Sequence, residues 1–106
     1  MLVVTLLIMP VIYLAGLLII GSTATYDDYY AEVEVQLQRY TTSGNWVNVP
    51  TYYWSDYQED TFAEVCEDNV SVSAGTYRCT LIHTAYARNG MALESEAFYS
   101  PEITVR

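Results

Sequence analysis

Tyr52-Tyr53-Trp54, followed by Tyr57, is the densest group of ligand-contacting side-chain types in this chain. In an extended segment, alternation places Tyr52 and Trp54 on one face and Tyr53 on the other. Stacked rings of this kind hold a sugar through CH–π contacts and hydroxyl hydrogen bonds, with Asp56 accepting from the ring hydroxyls. They equally suit a protein partner, because Tyr and Trp are enriched at interfaces. The plainest reading puts Trp54 in the core and the tyrosines over its rim, hydroxyls in water. A second aromatic and acidic group is Tyr26, Tyr29 and Tyr30 beside Asp27 and Asp28. It reads as a strip where subunits meet or as a solvated lead-in to the domain.

The titratable groups offer less. Asp56, Glu59, Asp60, Glu64, Glu67 and Asp68 crowd the middle of the chain. Acid-rich loops bind Ca²⁺ when six to eight oxygens converge, but the regular D-x-D-x-D-G spacing is missing, and a solvated acidic face is the expectation. Paired carboxylates hydrolyse glycosides when held ~5–10 Å apart in a cleft that excludes water, which a domain of this size is not expected to form. His83 is the single histidine and falls on the inward parity of its strand, so it is expected in or just below the core. GxSxG, HExxH, P-loop and dinucleotide fingerprints do not occur. The expectation is therefore a non-enzymatic protein with no catalytic residue, cofactor or metal.

Composition narrows the partners. The chain carries 13 acids and four bases, all four of them Arg, for a net charge of −9. Nucleic-acid binders and proteins docking on anionic membranes need clustered cations, and both classes are excluded on that ground. Residues 1–21 are uncharged and span a membrane-crossing length, which requires ~20 apolar residues. They read as a secretory signal with a cut before Thr25, as a retained anchor, or as a buried or filament-core helix. The expected organisation is thus residues 1–24 as signal peptide or anchor, 25–30 as lead-in and 31–106 as the domain, outside the cytoplasm. Membrane contact is expected only through an uncleaved 1–21. Cys66 and Cys79 are the only cysteines. In an oxidising compartment they are expected to pair, closing a loop of about 14 residues worth very roughly 3 kcal/mol. The alternative is two buried free thiols.

The strands that must position these groups are legible. In 31–40, Val33, Val35 and Leu37 alternate with Glu32, Glu34, Gln36 and Gln38. Thr41-Thr42-Ser43-Gly44-Asn45 carries turn chemistry, and 46–53 returns, with Pro50 marking an edge or bend. Residues 55–60 read as a loop. Over 61–73, Phe62, Cys66, Val70 and Val72 share one parity, and Asp68-Asn69 reads as a break. Residues 77–87 place Tyr77, Cys79, Leu81, His83 and Ala85 inward. Arg88-Asn89-Gly90 predicts a primed hairpin turn, 91–99 returns, and 102–106 ends as a short edge strand. About six strands at ~8–12-residue intervals predict an all-β antiparallel sandwich. The roughly 82 residues after a cut before Thr25 make a marginal core, for which a disulfide is the expected remedy.

Ser73-Ala74-Gly75-Thr76-Tyr77-Arg78-Cys79 resembles the strand-F signature of immunoglobulin-like domains, where a Gly turn precedes a Tyr two residues before a Cys. The resemblance implies a tyrosine corner at Tyr77, gives Gly75 a structural role, and makes Trp46 the counterpart of the strand-C tryptophan. It also implies 31–40 as strand B, with Val33 and Val35 where the usual cysteine stands, and hence a bridge from Cys66 on strand E to Cys79. Leu37-Gln38-Arg39-Tyr40, Ser43-Gly44-Asn45-Trp46, Val72 through Arg78, and Glu94-Ser95 with Tyr99-Ser100-Pro101-Glu102-Ile103 are similar to small secreted immunoglobulin-like or fibronectin-III-like β-sandwich proteins of Gram-positive gut bacteria. That similarity covers about 70 residues and implies architecture and no reaction; the apolar run 1–21 places an N-terminal helix, as signal or anchor, ahead of the sandwich. The functional expectation is an extracellular binding or structural module of a bacterial surface, with a protein partner or self-association ahead of a glycan. The alternatives are a pilin-like filament subunit that keeps its N-terminal helix, and a small carbohydrate-binding module using Tyr52, Tyr53, Trp54 and Tyr57.

Overall fold

The computed structural model describes residues 2–9, 16–26 and 29–106. Eight strands follow in order: β1 (Leu2–Met9), β2 (Gly16–Thr25), β3 (Tyr29–Tyr40), β4 (Trp46–Gln58), β5 (Phe62–Ser71), β6 (Gly75–Ala87), β7 (Ala92–Tyr99) and β8 (Ile103–Val105). They form two antiparallel sheets, one of order β1-β2-β5 and a five-stranded one of order β4-β3-β6-β7, with β8 also on β6. The chain is all-β, a two-sheet sandwich.

The centre of the larger sheet is the β3–β6 pair, in register from Tyr29↔Ala87 to Arg39↔Tyr77. Both strands alternate as expected. Ala31, Val33, Val35 and Leu37 of β3 and Tyr77, Cys79, Leu81, His83 and Ala85 of β6 are buried. They meet Leu17 and Ile19 of β2 and Ala63, Val65 and Val70 of β5. The Tyr77 corner is formed: its ring is buried and its hydroxyl donates to the Ser73 carbonyl at 2.8 Å. Gly75 opens β6 opposite Val105.

The two hairpins of this sheet share one turn geometry. Thr41 N donates to Asn45 O and Gly44 N to Thr41 O, with Gly44 at φ 87. Ala87 N donates to Met91 O and Gly90 N to Ala87 O, with Gly90 at φ 89. Each is a tight turn closed by a left-handed glycine. Asn89 does not take positive φ, so the primed turn expected from Asn-Gly is corrected to this longer form.

The smaller sheet takes in part of the N-terminal apolar stretch. Part of the stretch read as an apolar helix, residues 1 and 10–15, lies outside the described residues. Its described parts are strands: β1 pairs with β2 from Leu2↔Thr25 to Met9↔Leu18, and β2 pairs with β5. Leu17, Ile19 and Thr23 are buried between the layers, so residues 16–25 pack as part of the sandwich. At Gly21 the layers come so close that a Cβ would lie 2.8 Å from Leu81 Cδ2 and 3.0 Å from Val35 Cγ2.

On β5 the inward residues are Ala63 and Val65, which turns Phe62 and Cys66 outward. Asn69 then adopts φ 56, and three steps of β5 (Glu67 to Val70) match two of β2 (Ile19 to Leu17). The extra residue is a bulge that flips the parity and brings Val70 inward. The single parity read across Phe62, Cys66 and Val70 is corrected on this ground.

The expected disulfide is absent as well. Cys66 and Cys79 are free thiols, the first exposed on the outer side of β5, the second buried on the inner side of β6. Burial pushes the Cys79 thiol up to about 12, which keeps it a packing group. β2 adds Leu17 and Ile19 to the core, so the interior is larger than residues 25–106 alone would build.

β4 continues through residues 55–58, which were expected as loop. Its register on β3 jumps from Gln36↔Tyr53 to Gln38↔Asn48, so Pro50 sits in a wide bulge. The Gln36 side-chain amide spans that bulge, within 2.9 Å of Val49 O and 3.2 Å of Tyr52 O. Trp46 begins β4 rather than the strand that follows β2, so its expected place as a central tryptophan is corrected to the sheet's edge.

Candidate functional site

With β3 burying its odd residues, Glu32, Glu34, Gln36 and Gln38 face outward. Register extends this outer face sideways. Tyr57, Ser55 and Tyr53 of β4 stand beside Glu32, Glu34 and Gln36. Thr84, Ile82, Thr80 and Arg78 of β6 flank the same residues on the other side. Ser95, Ala97 and Tyr99 of β7 complete the rows. The result is one broad sheet face, aromatic at both ends and acidic in the middle.

At one end, Tyr57 meets Tyr30 edge-on at 6.4 Å between centroids and 84° between planes. It meets Tyr86 likewise at 5.4 Å and 87°. The Tyr86 hydroxyl donates to Glu32 Oε1 at 2.5 Å, and the Tyr53 hydroxyl donates to Glu34 Oε1 at 2.7 Å. Donation to Glu32, followed by burial, pushes the Tyr86 phenol up to about 12. The bond to Glu34 likewise raises Tyr53, and burial followed by Glu59 raises Tyr57. These hydroxyls stay protonated at neutral pH, and each bonded one holds a carboxylate in place.

At the other end the Arg78 guanidinium lies 4.3 Å from the Trp46 ring centroid and 3.9 Å from that of Tyr99. Its Nε donates to Gln38 Oε1 at 2.8 Å, and Tyr40 packs edge-on against Trp46 at 5.1 Å. A cation between two ring faces is favourable by about 0.5–1 kcal/mol at an exposed site. Tyr53, Tyr57 and Tyr99 are 48%, 43% and 65% exposed, so these rings present area to a partner.

The sequence-predicted cluster divides as alternation requires. Tyr53 and Tyr57 belong to this face. Tyr52 and Trp54 turn the other way, stack at 5.7 Å and 19°, and pack on the core. The Tyr52 hydroxyl donates to Ser71 O at 2.6 Å, tying β4 to β5. Asp56 is on that side too: it accepts from Glu64 N at 3.0 Å and so caps the edge of β5. Of the second aromatic group, Tyr30 joins the face, Tyr26 is exposed, and Asp27 and Asp28 lie outside the described residues. Among the described residues, no three acidic, His or Cys side chains converge as a metal-binding group.

Sequence reasoning missed Tyr86, Glu32, Glu34, Arg78 and Tyr99 as members of a common face. The signal was present as the outward parity of the two best strands, but only β3–β6 pairing brings residues 30–34 to 82–86. His83 is fully buried, with Nδ1 2.7 Å from Thr23 Oγ1 and the Phe98 ring edge-on at 5.7 Å. Burial holds its pKa below the usual histidine value, and it does not reach the outer face. Comparison with protein-family models, curated proteins and solved structures finds no match for this chain.

Proposed function

We propose that this domain is a non-enzymatic binding module of fibronectin-III type that engages a protein partner through the outer face of its five-stranded sheet. The strand order supports the fold reading. β1, β2 and β5 correspond to strands A, B and E, and β4, β3, β6 and β7 to C′, C, F and G, with the corner tyrosine on F. A cut before Thr25 would take strand B out of the smaller sheet, so in this reading the domain starts no later than Gly16. The observation that carries the functional reading is the concentration of exposed Tyr around fixed carboxylates on one face. Tyr supplies large, amphipathic contact area at low entropic cost. Of the four aromatic residues expected to hold a sugar, only Tyr53 and Tyr57 lie on this face, since Tyr52 and Trp54 pack on the core.

The test places a photo-crosslinking residue at Ser55, in the middle of the face, or at Glu64, on the outer side of β5, in cells of the source. Covalent adducts from Ser55 and none from Glu64, lost on Tyr53→Ala/Tyr57→Ala, are the expected result. Equal labelling from both positions, or none from Ser55, rejects the face as the contact surface.

A further inference from the structure

We infer that Tyr30, Tyr57 and Tyr86, with the carboxylate of Glu32, form an open aromatic corner that binds a quaternary ammonium group. The inference deepens the proposed binding face by naming a ligand chemistry for one end of it. Tyr57 stands nearly perpendicular to both neighbours, at 84° and 87°, so the three rings do not form one flat stack. Ring faces carry the negative end of the aromatic quadrupole, and perpendicular rings let a compact cation touch more than one of them. Glu32 adds a full negative charge beside the corner, with Glu34 two residues along on the same face. Among the described residues neither carboxylate has an ion-pair partner: their bonds come from the hydroxyls of Tyr86 and Tyr53.

The opposite end of the face makes the same chemistry visible with an internal ligand. There Arg78 fills the space between Trp46 and Tyr99. The Tyr30–Tyr57–Tyr86 corner has more rings and a carboxylate, and charge complementarity selects a cation for it. An anion would meet Glu32, Glu34 and the field of a chain with net charge −9. A methylated ammonium suits it better than a primary amine. A quaternary group asks for charge and ring faces rather than for hydrogen-bond acceptors.

The experiment titrates the full chain with choline chloride at constant ionic strength, following Tyr ring resonances by NMR. A parallel titration uses 3,3-dimethylbutan-1-ol, the uncharged carbon isostere. Saturable, low-millimolar binding of choline with no binding of the isostere is expected. Tyr57→Ala and Glu32→Gln should each weaken it by at least about fivefold, which corresponds to cation–π and charge contributions of ordinary size. Phe62→Ala, on the outer side of the other sheet, should leave it unchanged. Binding of the isostere as tightly as choline, no saturable shift in the folded wild type, or full binding by both corner variants would each overturn the assignment. Tyr57 is exposed, and Glu32→Gln keeps the side-chain shape, so loss of fold is not expected to confuse the result. If choline fails while the Ser55 adduct persists, the ammonium site falls and the binding face stands.

Discussion

The two sheets bury similar side chains against each other but are encoded differently. In β3 of the larger sheet the buried Val33, Val35 and Leu37 alternate with the polar, half-buried Glu32, Glu34, Gln36 and Gln38. In β2 of the smaller sheet Leu17 and Ile19 are buried while Leu18 and Ile20, on the other face, are half-buried and equally apolar. A strand greasy on one side announces its period. A strand greasy on both sides is an apolar run, and joined to residues 1–15 it has the length of a membrane-crossing helix. The difference teaches that a core strand apolar on both faces carries no visible period.

The strongest way to break that comparison is to remove the disputed segment. A chain of residues 25–106 lacks β1 and β2 and leaves Ala63, Val65, Val70 and Leu81 without the residues that cover them. Leu17 and Ile19 alone account for roughly 1.5–3 kcal/mol each, in a domain whose whole stability is on the order of 5–15 kcal/mol. Residues 25–106 are expected to show no cooperative urea transition and no near-ultraviolet dichroism, while the full chain shows both. A cooperatively folded 25–106 would return the domain boundary to Thr25 and make β2 dispensable.

A smaller perturbation asks how tightly the two sheets close. Gly21 of β2 faces Leu81 and Val35, both fully buried. Gly21→Val should therefore overpack the interior and cost about 1–3 kcal/mol, despite valine's better strand propensity. Thr80→Val, on the outer side of the larger sheet, should fall within about 0.5 kcal/mol of wild type. Urea midpoints measure both. A Gly21→Val protein more stable than wild type would mean that the layers at β2 leave room for a side chain, against the 2.8 Å approach of a Gly21 Cβ to Leu81.

The same contrast explains what could be read from the residues alone. Val33, Val35 and Leu37, and Tyr77, Cys79, Leu81, His83 and Ala85, each keep one parity and are buried as it predicts, while Thr84 on the outward parity is buried as well. The Tyr77 corner was legible because its turn, ring and spacing are all local. Asn69 was legible as a break but not as a parity switch, because only pairing with β2 defines which side is inward. The Cys66–Cys79 bond failed for that reason: the bulge leaves Cys66 out of phase with the inward side. For the candidate face, alternation separated Tyr53 from Tyr52 and Trp54, while the partners from β6 and β7 needed sheet order that no short motif carries.

The gentlest test concerns a contact that joins the layers. His83 of β6 and Thr23 of β2 share a hydrogen bond of 2.7 Å across the interior, and among the described residues His83 Nε2 has no hydrogen-bond partner. Burial lowers the folded-state pKa of His83, against a weaker opposing effect of the Ser22 backbone. As pH falls, the unfolded chain therefore takes up the histidine proton first. The stability due to keeping His83 neutral is fully present above the unfolded value near 6.5 and is lost below it. The slope approaches about 1.4 kcal/mol per pH unit until the folded pKa is reached. Carboxylates titrate mainly lower, so urea midpoints between roughly pH 6.5 and 5 isolate the effect. Wild type should lose stability over that interval and His83→Leu should stay nearly flat. A flat wild-type profile would mean that the imidazole charges without leaving its site, and hence that water enters between the sheets at Thr23.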